Sequence, residues 1–343
     1  MKYFFSLILL SLTISTAFAQ KIVNVYAWTD EIPDFVVRQF EKETGIKVNF
    51  STYENNELMY AKIRASKNAG YDVIMPSSYF VDRMRKQQLL IPLDKTKIPN
   101  WKNLNPTFLN QQYDPNNAYS VPYIWGVTGI FVNTQYYSPN SIKQWSDFWD
   151  NRYVNQLMLL EDTREVFAMA LLSLGYSIND RDPVHIKQAF LKLKDMMKNV
   201  KVFSTDTVVS IIIDEDANLG MAFNGDTFKA SRENKHVTFV FPQDGFVIWV
   251  DNFSIPQNAA HQQEAYQFIN FMLRPDIAKA IALYTNFPIA NLAGQKLLPP
   301  EMRNNPIIYP SKEVLKHGEF QVDLGEETLA LYEKYWEELK MGG

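Results

Sequence analysis

The alternation of apolar and polar residues predicts a regular succession of strands and helices after residue 20. Short apolar runs typical of strands are each followed by a segment with apolar residues at helical spacing. Pro33 and Gly45 have the positions expected at the beginning and the end of the first helix. The predicted strands and the helices that follow them are 22–26 with 34–44, 46–51 with 57–66, and 71–75 with 79–88. This β-α-β-α-β-α order implies a parallel sheet with right-handed crossovers.

A second series of strands and helices follows a long segment of strand-forming residues at 119–133. Pro122 and Gly126 interrupt that segment, which is a candidate for carrying the chain from one domain to another. Beyond it, the pattern predicts strands at 157–160, 219–223 and 246–250, and helices at 163–174, 185–197, 259–273, 275–284 and 326–339. Because 343 residues exceed what one hydrophobic core usually serves, the sequence predicts an α/β protein of two domains.

Residues 1–19 have the pattern of a secretory signal peptide. Lys2 precedes an apolar run at 3–14, which is too short to span a membrane, and Ala17-Phe18-Ala19 fits the cleavage site. The sequence contains no cysteine, which excludes disulfides, thiolate metal ligands and a lipid-modified N-terminal cysteine. The sequence therefore predicts a free, exported protein located in the periplasm.

Charge and motif content argue against several classes of function. The net charge of −4 argues against nucleic acid as a partner, because nucleic-acid binding needs clustered Lys and Arg residues. There is no Gly-x-Ser-x-Gly elbow and no phosphate-binding glycine loop, and no cofactor is predicted. The histidines are scattered without the spacing of metal ligands, at His185, His236, His261 and His317.

Aromatic and acidic residues recur directly after the predicted strands, where ligands of open α/β sheets bind. The segments at these positions are 28–31, 76–79, 161–162, 224–226 and 249–251. Trp28 with Asp30 and Trp249 with Asp251 each place a ring and a carboxylate two residues apart, on one face of an extended chain. Carboxylates neutralise ammonium groups, and aromatic faces attract them while packing against methylene groups. This combination suits a protonated aliphatic amine.

The same residues also have purely structural interpretations. Asp162 and Glu165 fit a capping box at the start of the helix at 163–174, and the local sequence favours capping over ligand contact. Trp28 and Trp249 fit core packing as well as they fit a site. Ser77 is favoured as a helix cap, and Tyr79 as half-buried packing.

Other functions stay open on the residues alone. Carboxylates beside tryptophan occur in glycoside hydrolases, so an exported enzyme acting on amines or sugars is an alternative. Tyr136 and Tyr137 suggest a ferric site, but they lie outside the strand-end segments and are interpreted as surface or packing residues. The same architecture binding another cationic solute, or a sensor subunit without a transport role, is also compatible with the pattern.

Long stretches of the chain resemble a known family. They are EKETGIKV at 41–48, STYENNELMYAKI at 51–63, DPNNAYSVPYIWG at 114–126, TREVFAMAL at 163–171, INFMLRPDIAK at 269–279 and NLA at 291–293. Along essentially all of the mature chain the sequence resembles the PotD-type periplasmic spermidine/putrescine-binding proteins. The resemblance implies the type II periplasmic-binding-protein fold, with two lobes that are each a mainly parallel sheet flanked by helices and a ligand cleft between them. The lobes are predicted at 20–128 plus 251–297 and at 129–250 plus 298–343.

The resemblance also implies a function without catalysis. The chain is expected to be the monomeric substrate-binding subunit of an ABC importer, which binds spermidine or putrescine and works with a membrane permease and an ATPase. The positions that match the family's ligand contacts are Trp28, Thr29, Asp30, Glu31, Ser77, Tyr79, Asp162, Glu165, Phe223, Trp249, Asp251, Phe287 and Gln321. For Asp162 and Glu165, the resemblance favours ligand contact, which is compatible with capping because a carboxylate has two oxygens.

Three of these positions depart from the family's usual residues, and Asp30 is a close equivalent where Glu is common. Phe223 stands where the spermidine binders have Trp. Phe287 and Glu31 both stand where they have Tyr. The two phenylalanines keep an aromatic face but weaken cation–π attraction, and Glu31 adds a carboxylate. We therefore expect these departures to affect which polyamine is preferred more than the class of ligand.

Overall fold

The computed structural model describes residues 20–65 and 70–342, which form an α/β protein. The strands are β1 (Ile22–Trp28), β2 (Lys47–Tyr53), β3 (Val73–Ile74), β4 (Val121–Asn133), β5 (Leu157–Leu159), β6 (Val200–Phe203), β7 (Leu219–Phe223), β8 (Val237–Val240), β9 (Phe246–Phe253) and β10 (Gly318–Phe320). The longer helices are α1 (Asp34–Thr44), α2 (Asn56–Ala65), α3 (Ser78–Lys86), α4 (Thr163–Leu172), α5 (Pro183–Met196), α6 (Val208–Ile213), α7 (Asn224–Glu233), α8 (Gln262–Met272) and α9 (Pro275–Thr285). Three single-turn helices and a closing helix follow, namely α10 (Leu292–Gln295), α11 (Pro300–Arg303), α12 (Lys312–Leu315) and α13 (Glu326–Met341).

The N-terminal sheet is parallel, with strand order β2-β1-β3. Its central strand β1 buries Val23, Val25 and Ala27 completely, which is what an apolar run between two neighbouring strands requires. Helix α1 packs with Val36 and Phe40 inward and ends where Gly45 adopts a left-handed φ of 71°. The predicted β-α-β-α-β-α order of this region is confirmed.

The second sheet mixes parallel and antiparallel strands in the order β10-β9-β4-β7-β5-β6, with β8 also paired to β4. Strand β5 is parallel to both β6 and β7, and β10 is parallel to β9. Strand β4 runs antiparallel to β7, β8 and β9. The antiparallel pairing was not foreseen from the sequence, because the pattern of apolar residues does not reveal strand direction.

Strand β4 is the longest strand, and all 13 of its residues are buried. Its first half pairs with β9, and its second half pairs with β7 and β8. Val121, Tyr123 and Ile124 belong to the core cluster around the N-terminal sheet, whereas residues 130–132 belong to the core cluster around β5 and β7. The predicted role of 119–133 as the passage between two cores therefore agrees with the packing.

The two large core clusters draw on separate parts of the chain. One contains apolar residues of α4, α5, α13 and the strands β5 and β7. The other contains residues of β1, α1, α8 and α9, together with Leu298, Met302 and Ile308. These last three residues follow the predicted lobe boundary at 297, and the exact division of the chain into lobes stays a prediction.

Several elements were not predicted from the sequence, namely β6, β8, β10, α6 and α7. Among the described residues, no helix has both the length and the apolarity needed to cross a membrane. The predicted signal peptide at 1–19 and the predicted end of the second helix at residue 66 lie outside the described residues.

Candidate ligand-binding site

The first acidic cluster lies where β9 passes the start of α3, and we call it the Asp251 end, formed by Trp28, Glu31, Ser77 and Asp251. Ser77 and Asp251 form an isolated antiparallel bridge. The Ser77 hydroxyl donates to Asp251 Oδ1 over 2.5 Å, and the Glu31 carboxyl group lies close enough to that of Asp251 for each to shift the pKa of the other. Ser77 is the N-cap residue of α3 but makes no side-chain capping bond, so the capping role favoured for its hydroxyl is wrong.

The two carboxyl groups of the Asp251 end are poorly compensated. Asp251 is only 4% exposed, and burial raises its pKa to about 7. Burial, followed by the charge of Asp251, raises the pKa of Glu31 well above its ordinary range. Glu31 Oε2 is buried and receives no hydrogen bond from a donor in the described part of the chain. A cation placed here would therefore relieve an unfavourable arrangement.

Trp28 covers the Asp251 end from the end of β1. Its ring is half-buried, lies 4.8 Å from the Tyr53 ring between centroids, and packs against two core clusters. Its buried indole N–H lowers the pKa of the nearby Asp251 without making a hydrogen bond of ordinary geometry. Thr29 and Asp30 follow in an exposed turn, where Asp30 has a left-handed φ of 63°. The structure thus brings Trp28 to the cluster and leaves Thr29 and Asp30 at its exposed edge.

Three aromatic rings form a continuous wall, which we call the aromatic wall: Phe223, Trp249 and Phe287. The Trp249 ring lies 5.4 Å from Phe223 and 5.3 Å from Phe287 between centroids, and both contacts are close to perpendicular. Phe223 packs on the core cluster of β5 and β7, Phe287 packs on that of β1, and Trp249 touches both. The wall therefore spans the junction between the two cores.

Two glycines leave room for the aromatic wall. A Cβ atom at Gly126 would lie 2.1 Å from the Trp249 ring, and one at Gly225 would lie 2.2 Å from the Phe287 ring. Neither distance is sterically possible, so any side chain at these positions would displace a ring. This explains why β4 contains a glycine at a position where a strand would otherwise favour a larger residue.

The second acidic cluster, which we call the Asp162 end, is formed by Asp162, Glu165 and Gln321. The backbone N–H of Glu165 donates to Asp162 Oδ1 over 3.0 Å, so the predicted capping by Asp162 is confirmed. Glu165 does not complete the capping box, because its Oε1 accepts from Gln321 Nε2 at 3.3 Å. Burial, followed by the charge of Asp162, raises the pKa of Glu165 to about 8. Glu165 Oε2 is buried and without a donor among the described residues.

The two acidic ends are connected through adjacent residues. Ser77 contacts Asp251, and the neighbouring Ser78 donates to the backbone oxygen of Gln321 over 3.1 Å. The side chain of Gln321 in turn contacts Glu165. Residues far apart in sequence are thus brought together into one site, with Tyr79 following Ser78 on the same helix and half-buried as predicted.

Sequence reasoning missed two residues that complete the site. Arg164 is buried, donates to the backbone oxygen of Val322, and has its guanidinium 5.2 Å from the centre of the Tyr79 ring. Asn56 is buried and donates to both Ser77 Oγ, at 3.0 Å, and the Tyr79 hydroxyl, at 3.2 Å. Arg164 was passed over because only carboxylates and rings were sought, and no signal in the sequence distinguishes Asn56.

Asp226 is a further acidic residue beside the aromatic wall. It lies in the first turn of α7, three residues after Phe223, and burial raises its pKa to about 7. The strand-end rule had already selected the segment 224–226, and the acid itself was not chosen. Its desolvated carboxyl group adds to the negative character of the site.

Other kinds of site have less support in the structure. Within residues 20–65 and 70–342, no group of three or more His, Cys, Asp or Glu residues is arranged to hold a metal ion. Tyr136 is 56% exposed and donates to Glu215 over 2.9 Å, whereas Tyr137 packs on a core cluster. The pair therefore has the surface and packing roles predicted for it.

The fold and the site define a two-lobed solute receptor of the periplasmic-binding-protein type, as predicted. The chain belongs to the bacterial extracellular solute-binding proteins, whose sequence profile matches residues 36–309. Such proteins bind a solute for uptake.

Known relatives match almost the whole chain. The spermidine/putrescine-binding periplasmic proteins of Salmonella typhimurium and Escherichia coli K12 are each 45% identical over 317 residues, which cover 92% of this chain and 91% of theirs. The structure of the spermidine/putrescine ABC transporter substrate-binding protein PotD from Streptococcus pneumoniae superposes with a TM-score of 0.83 at 34% identity, covering 94% of this chain and 99% of the other. These relatives confirm the predicted family, fold and periplasmic location.

Proposed function

We propose that the chain binds a short polyamine, spermidine or putrescine, between its lobes and delivers it to a membrane permease driven by an ATPase. The observation that carries the proposal is the pair of buried acidic clusters, the Asp251 end and the Asp162 end, connected by hydrogen-bonded residues beside the aromatic wall. A flexible diamine or triamine has the complementary shape, with cationic groups separated by methylenes. The names of the relatives support the same ligand class and the same partners.

The residues have distinct roles in this proposal. Asp251 and Glu31 take one terminal ammonium group, with Ser77 as a neutral partner, while Asp162 and Glu165 take the other with Gln321. The rings pack against the methylene chain and attract the ammonium groups at roughly 0.5–2 kcal/mol each. Those rings are Trp28, Tyr79, Phe223, Trp249 and Phe287. Thr29 and Asp30 contact the ligand from the exposed turn once the cleft closes.

Binding requires closure of the cleft and no chemical step. Contacts from both lobes exist together only in the closed form, so the ligand shifts the equilibrium toward closure by its differential affinity. The closed form is the one that docks on the permease. No cofactor takes part, the protein acts as a monomer, and nucleic acid is not a partner.

The departures at Phe223, Phe287 and Glu31 adjust affinity rather than ligand class. A phenyl ring attracts a cation less strongly than an indole ring and lacks a polar group. Glu31 adds an anionic oxygen at the Asp251 end, which strengthens the attraction for a terminal ammonium group.

Calorimetric titration of residues 20–343 with spermidine, putrescine and n-butylamine tests the proposal. Both polyamines should bind, and n-butylamine should bind at least tenfold more weakly because it fills one acidic end only. Thermal-shift measurements with ferric ion, amino acids and sugars test the alternatives, since a ligand of the folded state raises the melting temperature. A response to one of these ligands without a response to polyamines would refute the proposal, and chemical conversion of the polyamine would indicate an enzyme.

A further inference from the structure

We infer that Glu31 and Asp251 share one proton while the cleft is empty, and that the terminal ammonium group of a bound polyamine displaces it. The inference rests on the proposed function and adds a property to it. Polyamine uptake would release a proton at the Asp251 end, and Glu31 would make ligand affinity depend on pH.

The contacts between the two acids require a proton in the absence of a ligand. The two carboxyl groups are neighbours, Asp251 is only 4% exposed and Glu31 Oε2 is buried, and two such oxygens can bond to each other only if one of them carries a hydrogen. The Ser77 hydroxyl occupies Asp251 Oδ1 over 2.5 Å and supplies one donor. Glu31 Oε2 has no other donor among the described residues. Like charges this close inside a protein do not both ionise.

Within the described part of the chain, the elements packed around the pair contribute no compensating cation. From β2, Tyr53 faces both acids, and its hydroxyl donates to the backbone oxygen of Met75. Tyr123 on β4 donates to the backbone oxygen of Glu31 over 3.0 Å, and Tyr113 donates to Asn252. Burial raises the pKa of all three tyrosines, so they stay neutral. No Lys, Arg or His side chain of the described residues forms a hydrogen bond or ion pair with either acid.

An ammonium group can replace the shared proton in both charge and hydrogen bonding. It carries the positive charge that the pair lacks and has three N–H donors for the carboxylate oxygens. Once it is bound, both acids can ionise, and the proton leaves to solvent. Ligand and proton therefore compete for one place, and affinity at this end should fall about tenfold per pH unit once the pH is below the pKa of the pair.

Calorimetry in buffers of different ionisation enthalpy measures the proton directly. Putrescine is titrated into the wild type and Glu31→Gln at pH 8, above the pKa of about 7 that burial gives Asp251, in phosphate and in Tris buffer, and the difference in heat gives the number of protons released. The Gln amide can donate to an ionised Asp251, so the variant has no shared proton to lose. We expect the wild type to release about one proton more than Glu31→Gln. Glu338→Gln removes an exposed acid of α13 and should match the wild type.

The comparison separates this end from the rest of the site. Glu165 and Asp226 are also desolvated and contribute equally to both proteins, so only the difference in protons reports on Glu31. Putrescine binding with equal proton release in wild type and variant would overturn the inference and leave the proposed function intact. Absence of polyamine binding at every pH would overturn both. If Glu31→Gln fails to fold, the double variant Glu165→Gln/Asp226→Asn decides, because without those two desolvated acids its infrared difference spectrum must still show a carboxylic-acid carbonyl band that ligand removes.

Discussion

Replacing Asp251 by Asn should weaken polyamine binding strongly while making the empty protein more stable. The amide has nearly the same shape, keeps an oxygen for the Ser77 hydroxyl and loses the charge that a ligand ammonium would meet. Truncating one partner of a buried charge pair costs about 2–5 kcal/mol, which corresponds to roughly 30- to 5000-fold in affinity. The variant should therefore bind putrescine at least 30-fold more weakly than the wild type.

The gain in stability follows from the raised pKa of Asp251. An acid whose pKa rises from 3.8 to about 7 on folding destabilises the native state as pH rises through that interval. At about 1.4 kcal/mol per pKa unit the full effect is about 4 kcal/mol, part of which the buried amide retains as its own desolvation cost. We expect the free energy of unfolding of Asp251→Asn to exceed that of the wild type by about 1–3 kcal/mol above pH 7. The difference should vanish below pH 4, where both side chains are neutral.

The two effects need two measurements on the same samples. Isothermal titration gives the affinity, and urea unfolding from pH 4 to pH 8 gives the stability of the ligand-free protein. Asp206→Asn, which changes an exposed loop residue in the same way, should alter neither quantity. Unchanged affinity would remove Asp251 from the site. Reduced affinity with reduced stability at pH 8 would show that the residue supports the fold and that the reasoning from its desolvation is wrong.

Three further predictions concern the rest of the site. Gly126→Ala should displace the Trp249 ring, because the new Cβ atom would lie 2.1 Å from it. We expect polyamine affinity to fall at least tenfold and the tryptophan emission to shift. Unchanged emission and affinity would contradict the role of the aromatic wall. Asp162→Ser should keep the cap of α4 and the melting temperature of the protein but weaken polyamine binding. Asp162→Ala should weaken binding and also lower the free energy of unfolding by about 1 kcal/mol. Equal affinity in wild type and Asp162→Ser would show that Asp162 acts only as a helix cap. Polyamine affinity should fall only mildly between low and high salt if the acids contact the ligand in a closed cleft, and a steep fall would indicate loose surface attraction instead.

The sequence predicted those elements whose packing follows from their own periodicity. Helix α1 ends where Gly45 requires a left-handed φ, and α9 begins at Pro275, both as expected. Strand β9 was predicted to end at residue 250 but continues to Phe253. Asp251 and Asn252 look like a strand end in sequence, and they remain in the strand because β4 pairs with them. Ser77 and Tyr113 donate to their side chains from elsewhere in the chain.

Only those site residues could be predicted whose chemistry, position after a strand or family resemblance marks them in the sequence. The strand-end rule selected Trp28, Trp249 and Asp251, and the resemblance added Gln321. The sequence could not show that Glu31 lies beside Asp251, because their proximity depends on how the turn after β1 packs against β9. The three-residue strand β10, which carries the chain to Gln321, needs a glycine at 318, because a Cβ atom there would lie 2.5 Å from the Phe246 ring of β9.

The fully buried strand β4 makes the halves of this protein inseparable. One unbroken stretch of backbone supplies apolar residues to both large cores and hydrogen bonds to strands of each. Neither half retains a complete interior if the other is removed, so genetic dissection into single lobes would yield aggregating fragments rather than miniature receptors. The closure proposed for ligand binding would therefore have to bend or twist β4 without breaking it.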